Sequence, residues 1–434
     1  MNELSQRKQT PWDFPPPPPQ KQRRKKGCGC FSALLAMLLV AALALVGFGL
    51  LENTVSPQTQ SLLPTLPSAS AAAQTGTPRT TRLETTAAMP AEGRLRAHYE
   101  TLSKAGQRAY DTILAALPGF PESIEIPKLN DDDISDVFYA LLRDQPLLFQ
   151  LSSESMTRSS GNKVWFCPVY RMNQPTYEKQ LREVAGVCAE LAALVPAGAS
   201  DYEAELILHD ALIRRCTYRY TGAAEENTVY GALVEGVAAC EGYSRAMLLL
   251  LEQQGIAGCV VTGDATNSMG ETSKHAWNKV RIDGDWYQLD ATWDDPVSED
   301  GGAETLVHSY FNLTDAELGM SHELTRDSRP CTATKANYFV VQGVLFAQVD
   351  KAAEDVLARA LTEAINRGAD LLEFRCKDKT GYEAAIKRLF DEQKIYRILS
   401  KADLATGKKI SSQRVSYTEI PALHILQVIP VIKG

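Results

Sequence analysis

The sequence predicts an α+β protein with two folded units, preceded by one transmembrane helix and a disordered stalk. Two patterns within residues 236–296 predict the larger unit: a helix that starts near Cys240, and a β-hairpin centred on Asp283 and Gly284. A change of composition after residue 332 predicts the smaller unit. The chain has 434 residues, of which 44% are hydrophobic, and is therefore long enough to bury two cores.

Residues 1–30 form a basic, proline-rich tail that we predict to be cytoplasmic. The proline run at 15–19 predicts an extended spacer, with a docking site for a proline-binding domain as the alternative. The basic cluster 23–26 precedes residues 31–51, which carry no charge and are long enough to cross a bilayer. The positive-inside rule places the chain after residue 51 outside the membrane. A cleaved signal peptide is the alternative, but the apolar run is longer than its usual core.

Residues 52–93 predict a disordered stalk, since they are rich in Thr, Ala, Ser and Pro and poor in large apolar side chains. The folded part then comprises residues 94–332, whose first third is helical in pattern, and residues 333–434. The net charge of −8 implies no basic face, so a nucleic-acid partner is not expected.

Cys240 is the candidate nucleophile. It lies just ahead of a run of helix formers, 243–254, that ends at Gly255, a residue type typical of the position after a helix. The positive end of the helix macrodipole favours thiolate over thiol at such a position. A reactive cysteine is therefore expected here.

His275 and Asp290 are the candidate base and its orienting carboxylate. Residues 275–282 alternate in the manner of a strand, Asp283-Gly284 is a two-residue turn, and residues 285–293 predict the returning strand. In that register Thr292 lies opposite His275, and Asp290 is a diagonal neighbour on the same face. An aspartate in that place orients an imidazole and stabilises its protonated form.

The segments CEGYSRA, KHAWNKVRIDGDWYQLDATWDDP and YFNLTD resemble the core of the bacterial transglutaminase-like superfamily. The resemblance extends more loosely over residues 95–315. It implies a papain-like fold, in which the nucleophile helix packs on an antiparallel sheet, and a triad of Cys240, His275 and Asp290. It does not choose a reaction, since the superfamily includes cross-linking acyltransferases, peptidases, amidases and inactive members.

Two aromatic residues are weaker candidates for the site. Tyr230, in the loop that enters the nucleophile helix, is the candidate for a second oxyanion donor beside the Cys240 backbone N–H, and a packed core tyrosine is the alternative. Trp277 shares a face with His275 and is expected to shield the His–Asp pair from water. Trp286 and Trp293 are expected to pack the sheet.

No cofactor or metal is expected. The other five histidines have no metal-ligand spacing, and the sequence has no HExxH motif and no paired CxxC. His308 and His322 are expected to pack near the site without a catalytic role. If Cys240 is a thiolate, six cysteines remain after residue 93, which permits three disulfides, although their spacing favours thiols.

Residues 333–434 predict a small α+β accessory unit that carries no catalytic motif. Its expected elements include strands over 338–346 and 396–399 and a helix over 352–365.

Two functions are compatible with the whole sequence. The first is a membrane-anchored, extracytoplasmic cysteine acyl-transfer enzyme acting on a protein or peptide, such as a cell-surface or cell-wall peptide. The second is a non-catalytic surface module that binds or scaffolds peptides on the same fold.

Overall fold

The computed structural model describes residues 95–296, 306–324 and 329–432, together with the backbone of strand β1 (Gln22–Lys26). The predicted transmembrane run at 31–51 and the predicted stalk at 52–93 lie outside the described residues. Within the described ranges, no helix combines the length and the apolar character that a bilayer crossing requires.

The first part of the folded chain is a pair of helices packed on a small antiparallel sheet of order β2-β4-β3. The second helix begins at Asn130, whose side chain accepts a hydrogen bond from the backbone N–H of Asp133, and three aspartates occupy its first turn. The elements are α1 (Lys104–Ala116), β2 (Ile124–Ile126), α2 (Asp131–Asp144), β3 (Leu151–Ser160) and β4 (Lys163–Tyr170).

Helices dominate the next stretch, which leads to the nucleophile. A capping box between Ser200 and Glu203 starts its second helix. The third helix ends before Gly255, whose positive φ of 73° confirms the predicted helix end. The elements are α3 (Gln174–Ala192), α4 (Asp201–Arg215), β5 (Thr217–Tyr218), β6 (Val237–Ala238) and α5 (Cys240–Gln253).

An antiparallel sheet of order β7-β8-β9 follows, with strands β7 (Gly258–Thr266), β8 (Thr272–Ile282) and β9 (Asp285–Leu289). The predicted two-residue turn is confirmed: Ile282 pairs with Asp285. Asp283 and Gly284 both have positive φ, 50° and 91°, as a type I′ turn requires.

The predicted length of the returning strand is wrong. β9 ends at Leu289, so Thr292 does not pair with His275. Residue 290 onward forms a turn in which the backbone N–H of Asp294 donates to the carbonyl of Asp290 over 3.2 Å. His275 is instead paired with Gly263 on the other neighbouring strand. The ladder stops because the Asp290 side chain caps the turn and accepts backbone N–H groups itself.

The last part is a sheet of order β1-β12-β13-β11-β10 with helices against it. Two of its expected strands are wrong: residues 396–399 are helical, and 338–346 divide into a helical turn and a short strand. Its elements, with one short helix before them, are α6 (Asp315–Leu318), α7 (Tyr338–Val341), β10 (Leu345–Phe346), α8 (Lys351–Asn366), β11 (Leu372–Cys376), α9 (Lys379–Ile386), α10 (Ile395–Thr406), β12 (Ile410–Ile420) and β13 (Ile425–Ile432).

The sheet that carries His275 is covered on both faces. One face packs against α5, where Val280, Tyr287 and Leu289 share a core with the apolar side of that helix. The opposite face, including Val261 and Trp277, shares a continuous core with the C-terminal unit. The helix therefore packs on the antiparallel sheet as expected, while the smaller unit is fused to the larger one through buried apolar side chains.

Candidate active site

Cys240 is the first residue of α5, and its side chain is 0% exposed. It packs with Leu248 of its own helix and with Val260 and Ala276 of the sheet. The partly buried Tyr220 completes this cluster. The thiol therefore lies at a helix N-terminus as predicted, but it lies beneath the surface.

The loop before the nucleophile is held by a buried carboxylate. Glu226 accepts hydrogen bonds from the backbone N–H and the hydroxyl of Thr221, at 2.7 and 2.8 Å, and from Arg219 at 2.8 Å. The backbone carbonyl of Glu226 accepts a hydrogen bond from the backbone N–H of Ala239, the residue before Cys240. Gly242 passes so close that a Cβ atom there would lie 2.4 Å from the same carbonyl oxygen. Backbone contacts thus fix the start of the helix.

His275 and Asp290 are brought together in the interior. The Nε2 atom of His275 lies 2.7 Å from Oδ2 of Asp290. The Cys240 side chain lies close enough to the imidazole to raise its pKa. Because Nε2 faces the carboxylate, Nδ1 is the nitrogen that remains for sulfur. The structure thus brings the three predicted residues together, by way of a turn where the sequence predicted a strand.

Asp290 is fully buried and fully satisfied. Its Oδ1 atom accepts from the backbone N–H groups of Thr292 and Trp293, at 3.0 and 3.1 Å. Its Oδ2 atom accepts from two imidazoles, His275 at 2.7 Å and His322 at 3.1 Å. Four donors around one carboxylate stabilise its ionised form without solvent.

These contacts shift the acid–base properties of the pair. Burial by itself lowers the pKa of His275, but the charge and hydrogen bond of Asp290, reinforced by Cys240, raise it to about 10. Burial by itself raises the pKa of Asp290, but the two imidazoles hold it well below its usual range. The imidazole is therefore protonated at neutral pH, which suits a group that must protonate a departing amine.

His322 is a site residue that the sequence analysis placed nearby without a role. Burial, the largest effect, lowers its pKa, so it is neutral beside the charged His275. With Nε2–H directed at Asp290, its Nδ1 accepts from the hydroxyl of Ser321 at 2.9 Å. Its segment is fixed by a β-bridge between His322 and Ala265 of β7. Sequence spacing gives no signal for this residue, since tertiary contacts such as this bridge bring it to Asp290.

Indole rings enclose the imidazoles. Trp277 is almost completely buried, and its ring is nearly parallel to that of His275, with centroids 6.1 Å apart. The Trp277 indole N–H donates to Gln288 at 2.8 Å. Trp293, expected only to pack the sheet, contacts both His275 and His322, at 5.6 and 4.5 Å between centroids. The predicted shielding by Trp277 matches this geometry, and Trp293 contributes to it.

Tyr230, the predicted oxyanion donor, is engaged away from the triad. Its hydroxyl donates to Glu183 at 3.0 Å, and its ring stacks on Phe149. The π-helical turn Gly231–Glu235 that follows separates this tyrosine from the helix start. Besides Tyr220, Tyr218 also lies near the nucleophile, since it is paired with Ala238 across the β5–β6 ladder. Burial, followed by the charge of Cys240, raises the pKa of Tyr218.

Two groups in the described part of the chain have the composition of a metal site. One is His275, Asp290 and His322, the group around the triad carboxylate. The other is His209, Asp210 and His308, which lies outside the triad. Within the described ranges, no disulfide forms among the seven cysteines, so Cys240 has no disulfide partner there.

The segment that contains all three triad residues has a known counterpart. Residues 189–291 match the family model described as the transglutaminase-like superfamily. This segment is a transglutaminase-like domain. The resemblance inferred from the sequence motifs is thereby confirmed for about this stretch of the chain. Comparison with curated protein sequences gives no match.

Several solved structures are similar to the chain at low identity. A protein described as a TGase has 13% identity and a TM-score of 0.24, with 45% of this chain and 56% of that chain covered. A protein from Cytophaga hutchinsonii, named provisionally as a cysteine protease, has 10% identity and a TM-score of 0.22, with 35% and 65% covered. The periplasmic domain of TgpA from Pseudomonas aeruginosa bound to ethylmercury has 19% identity and a TM-score of 0.19, with 32% and 59% covered. This chain spans less than two thirds of each of these chains.

Proposed function

We propose that the transglutaminase-like domain is a cysteine acyl-transfer enzyme. The observation that carries the proposal is the burial of Cys240, His275 and Asp290 together, with the imidazole 2.7 Å from the carboxylate and its pKa raised by both neighbours. The site fits a substrate with a carboxamide or peptide carbonyl. We infer that the substrate is a protein or peptide, and that the reacting group is a glutamine carboxamide in it or a peptide bond of, for example, a cell-wall peptide.

In the first half-reaction, the Cys240 thiolate attacks the carbonyl carbon and forms a tetrahedral intermediate. The carbon–nitrogen bond then breaks, and the His275 imidazolium gives its proton to the departing amine or ammonia. A thioester on Cys240 and a neutral imidazole remain. Asp290 keeps the ring in place through both states.

In the second half-reaction, His275 removes a proton from water or from an amine as that nucleophile attacks the thioester. Cys240 leaves as the thiolate, and the product is an acid or a new amide. The developing oxyanion needs donors in both halves. The backbone N–H of Cys240 is one such donor, and we assign the second to the hydroxyl of Tyr218, because its strand is paired two residues before the nucleophile.

The alternative function, a non-catalytic peptide-binding or scaffolding module, is favoured by one observation. The Cys240 side chain is 0% exposed, so a substrate reaches it only if Tyr220 or the adjoining loop moves. A binding module needs no such movement. The reactivity of the thiol therefore separates the two functions.

The test is iodoacetamide labelling of the full-length protein from about pH 4 to about pH 9, with the rate at each cysteine measured by mass spectrometry. We expect Cys240 to label fastest below neutral pH and His275→Ala to remove that advantage. Cys167 serves as an internal reference, because it is more exposed than Cys240 and burial raises its pKa. If Cys240 labels no faster than Cys167 in the wild-type protein, the enzyme proposal fails.

A second assay decides between hydrolysis and transfer. The protein is incubated with a glutamine-containing peptide, with and without a fluorescent primary amine. Peptide cleavage or ammonia release without the amine indicates hydrolysis, whereas incorporation of the amine indicates cross-linking chemistry. Cys240→Ala is the blank for both readouts.

Membrane anchoring through residues 31–51 and an extracytoplasmic site are part of the proposal that rests on the sequence alone. The β1–β12 pair brings residues 22–26 against the C-terminal unit. A strand pair cannot form across a bilayer, so this pairing and the single-pass arrangement are alternatives. Extraction of membranes with alkaline carbonate decides between them. An anchored chain stays in the pellet and is released when 31–51 are deleted, whereas release of the wild-type chain contradicts the anchor.

A further inference from the structure

A second buried network of imidazoles and carboxylates lies outside the triad. His308 Nδ1 is 2.9 Å from Glu373 Oε2, and His308 Nε2 is 3.0 Å from Asp210 Oδ1. The same Asp210 oxygen is 3.2 Å from His209 Nδ1. His209 Nε2 is in turn 3.3 Å from Asp294 Oδ2. The acyl-transfer mechanism uses none of these five residues.

We propose that His209, Asp210 and His308 bind one divalent cation of the zinc type. One ligand atom from each residue lies within 4.8 Å of the other two. The Asp210 oxygen lies 3.0 and 3.2 Å from the two imidazole nitrogens. A tetrahedral site with metal–ligand bonds of about 2.0–2.1 Å has ligand–ligand separations of roughly 3.3 Å. The two separations from the Asp210 oxygen are therefore close to those of neighbouring ligands in such a site, and the two imidazole nitrogens lie within 4.8 Å of each other.

The opposite nitrogen of each imidazole faces a carboxylate. Glu373 accepts from His308 at 2.9 Å, and Asp294 lies 3.3 Å from His209. Carboxylates in these places orient histidine ligands and increase their basicity in metalloproteins. His209 Nε2 and Asp294 Oδ2 are both buried, and at 3.3 Å neither has hydrogen-bond geometry with any partner among the described residues. A cation bound to Nδ1 of His209 would leave the proton on Nε2, and it would draw this N–H toward the Asp294 carboxylate.

The network is most open to solvent at Asp210. The side chain of Asp210 is 20% exposed, whereas that of His209 is 0% exposed. The Oδ2 atom of Asp210 accepts from Arg214 at 3.3 Å, and at Oδ1 the cation takes the place of the protons that the two imidazoles otherwise direct at this oxygen. A fourth ligand, water, enters from the Asp210 side. A set of two imidazoles and one carboxylate suits Zn²⁺ and Co²⁺ better than Ca²⁺, which takes oxygen ligands.

The competing explanation is that two protons take the place of the cation. Burial lowers the pKa of His308, but Asp210 and Glu373 raise it to about 10. Two imidazolium groups carry a total charge of +2, and one divalent cation with two neutral imidazoles carries the same charge, so both arrangements neutralise the three carboxylates equally. Charge balance therefore does not separate the two explanations, and a metal-specific signal is required.

A cation here would join three parts of the molecule. His209 and Asp210 lie on α4, His308 follows the turn after the triad aspartate, and Glu373 lies on β11 of the C-terminal unit. His308 is 98 residues from Asp210 in sequence, which explains why no motif indicates the site. The role we assign to the cation is a structural clamp between the two units.

The test is titration of the full-length protein with Co²⁺ after treatment with a chelator. We expect one equivalent to bind and to produce the visible absorption of tetrahedral Co²⁺, without the near-ultraviolet charge-transfer bands of a thiolate ligand. His209→Gln and His308→Gln are expected to lose this signal. His424→Gln is the matched control, because that histidine lies in the C-terminal unit away from the network and should bind normally.

The proposal is overturned if the wild-type protein binds no Co²⁺, if the absorption shows a thiolate ligand, or if both glutamine variants keep the tetrahedral signal. Circular dichroism checks that each variant is folded. If a histidine variant does not fold, Asp210→Asn replaces it, since it keeps the side-chain volume and removes the anionic ligand. We expect at least a tenfold loss of affinity in Asp210→Asn, and unchanged affinity would also overturn the proposal.

Discussion

At the scale of single residues, Asp290 organises the candidate site. It accepts from two imidazoles and two backbone N–H groups, and it is buried among indole rings. A carboxylate with four donors has no freedom to rotate, so the ring of His275 is held in one orientation. His322 thus acts on the triad through Asp290, as a positioning residue.

We predict that His322→Ala lowers kcat about tenfold with little change in KM, because the lost hydrogen bond to Asp290 contributes about 1.4 kcal/mol. His322→Gln should recover most of this loss, since its side-chain amide can donate to Asp290. Steady-state kinetics with the peptide substrate measures both. Equal loss in the two variants would show that His322 acts only through packing.

Removal of the Tyr218 hydroxyl tests the second oxyanion donor. We predict that Tyr218→Phe lowers kcat about 10²-fold, as loss of one oxyanion donor does in other acyl-transfer enzymes. Tyr230→Phe is the matched control, because that hydroxyl binds Glu183, and it should keep wild-type kcat. If the two variants have equal activity, Tyr218 is not a donor to the oxyanion.

The raised pKa of His275 predicts a pH dependence of stability. The folded protein holds this proton up to about pH 10, whereas the unfolded chain releases it near 6.5. The stabilisation is therefore fully present below about pH 6.5 and is lost as the pH rises through about 10.

We predict that the free energy of unfolding falls between about pH 7 and about pH 10, and that the fall is about 3 kcal/mol larger in the wild type than in His275→Gln. Unfolding by denaturant at each pH measures it. His424→Gln should keep the wild-type slope, because burial and Arg375 lower the pKa of that histidine. Parallel slopes for the wild type and His275→Gln would contradict the buried imidazolium.

At the scale of elements, the start of α5 depends on close backbone contact. The helix meets the loop at Gly242, where a Cβ atom would lie 2.4 Å from the carbonyl oxygen of Glu226 and 2.8 Å from the Cβ of Ala238. Neither atom belongs to a flexible side chain. A larger residue would therefore displace either the loop or the nucleophile.

We predict that Gly242→Ala destabilises the protein by about 2–4 kcal/mol and slows labelling of Cys240. Gly186→Ala is the matched control, since Gly186 lies in α3 with nothing within 4 Å of the added methyl group. That substitution should stabilise the protein by about 0.5–1 kcal/mol, as alanine is the better helix former. Thermal unfolding of both variants measures the difference, and a neutral Gly242→Ala would show that the loop can yield.

At the scale of the whole molecule, the two predicted folded units share one core. Val261, Trp277 and Trp293 belong to the same buried cluster as Phe374 and Val428 of the C-terminal unit. Arg375 of β11 also forms an ion pair with Glu317 at 2.7 Å. The sequence pattern therefore changes at residue 333, but the buried apolar core continues from the larger unit into the C-terminal unit.

We predict that a chain ending at residue 332 does not unfold cooperatively. Loss of the C-terminal unit would expose the apolar face behind Trp277, so the fragment should bind a hydrophobic dye and show a broad thermal transition. The matched fragment 94–434 should unfold in a sharp transition. A sharp transition in the shorter fragment would establish the larger unit as independent.

The sequence predicted local structure well where local chemistry decides it. The helix end at Gly255 and the hairpin turn at Asp283 and Gly284 were both correct, because these residues adopt positive φ at little cost. The strand predicted at residues 396–399 was wrong. A short apolar run fits either period, and packing against α8 and β12 makes it part of a helix.

For the candidate site, the sequence by itself determined which three residues are involved and that Cys240 begins a helix. Only the tertiary structure decided that Asp290 lies in a turn, that His322 completes its hydrogen bonds, and that Tyr218 is paired next to the helix start while Tyr230 binds Glu183. It also brought His209 and His308 to one aspartate. Motifs record contacts between residues near in sequence. A buried charge must be hydrogen-bonded because it has lost its water, and its donors are those that the packed chain brings near, whatever their separation in sequence.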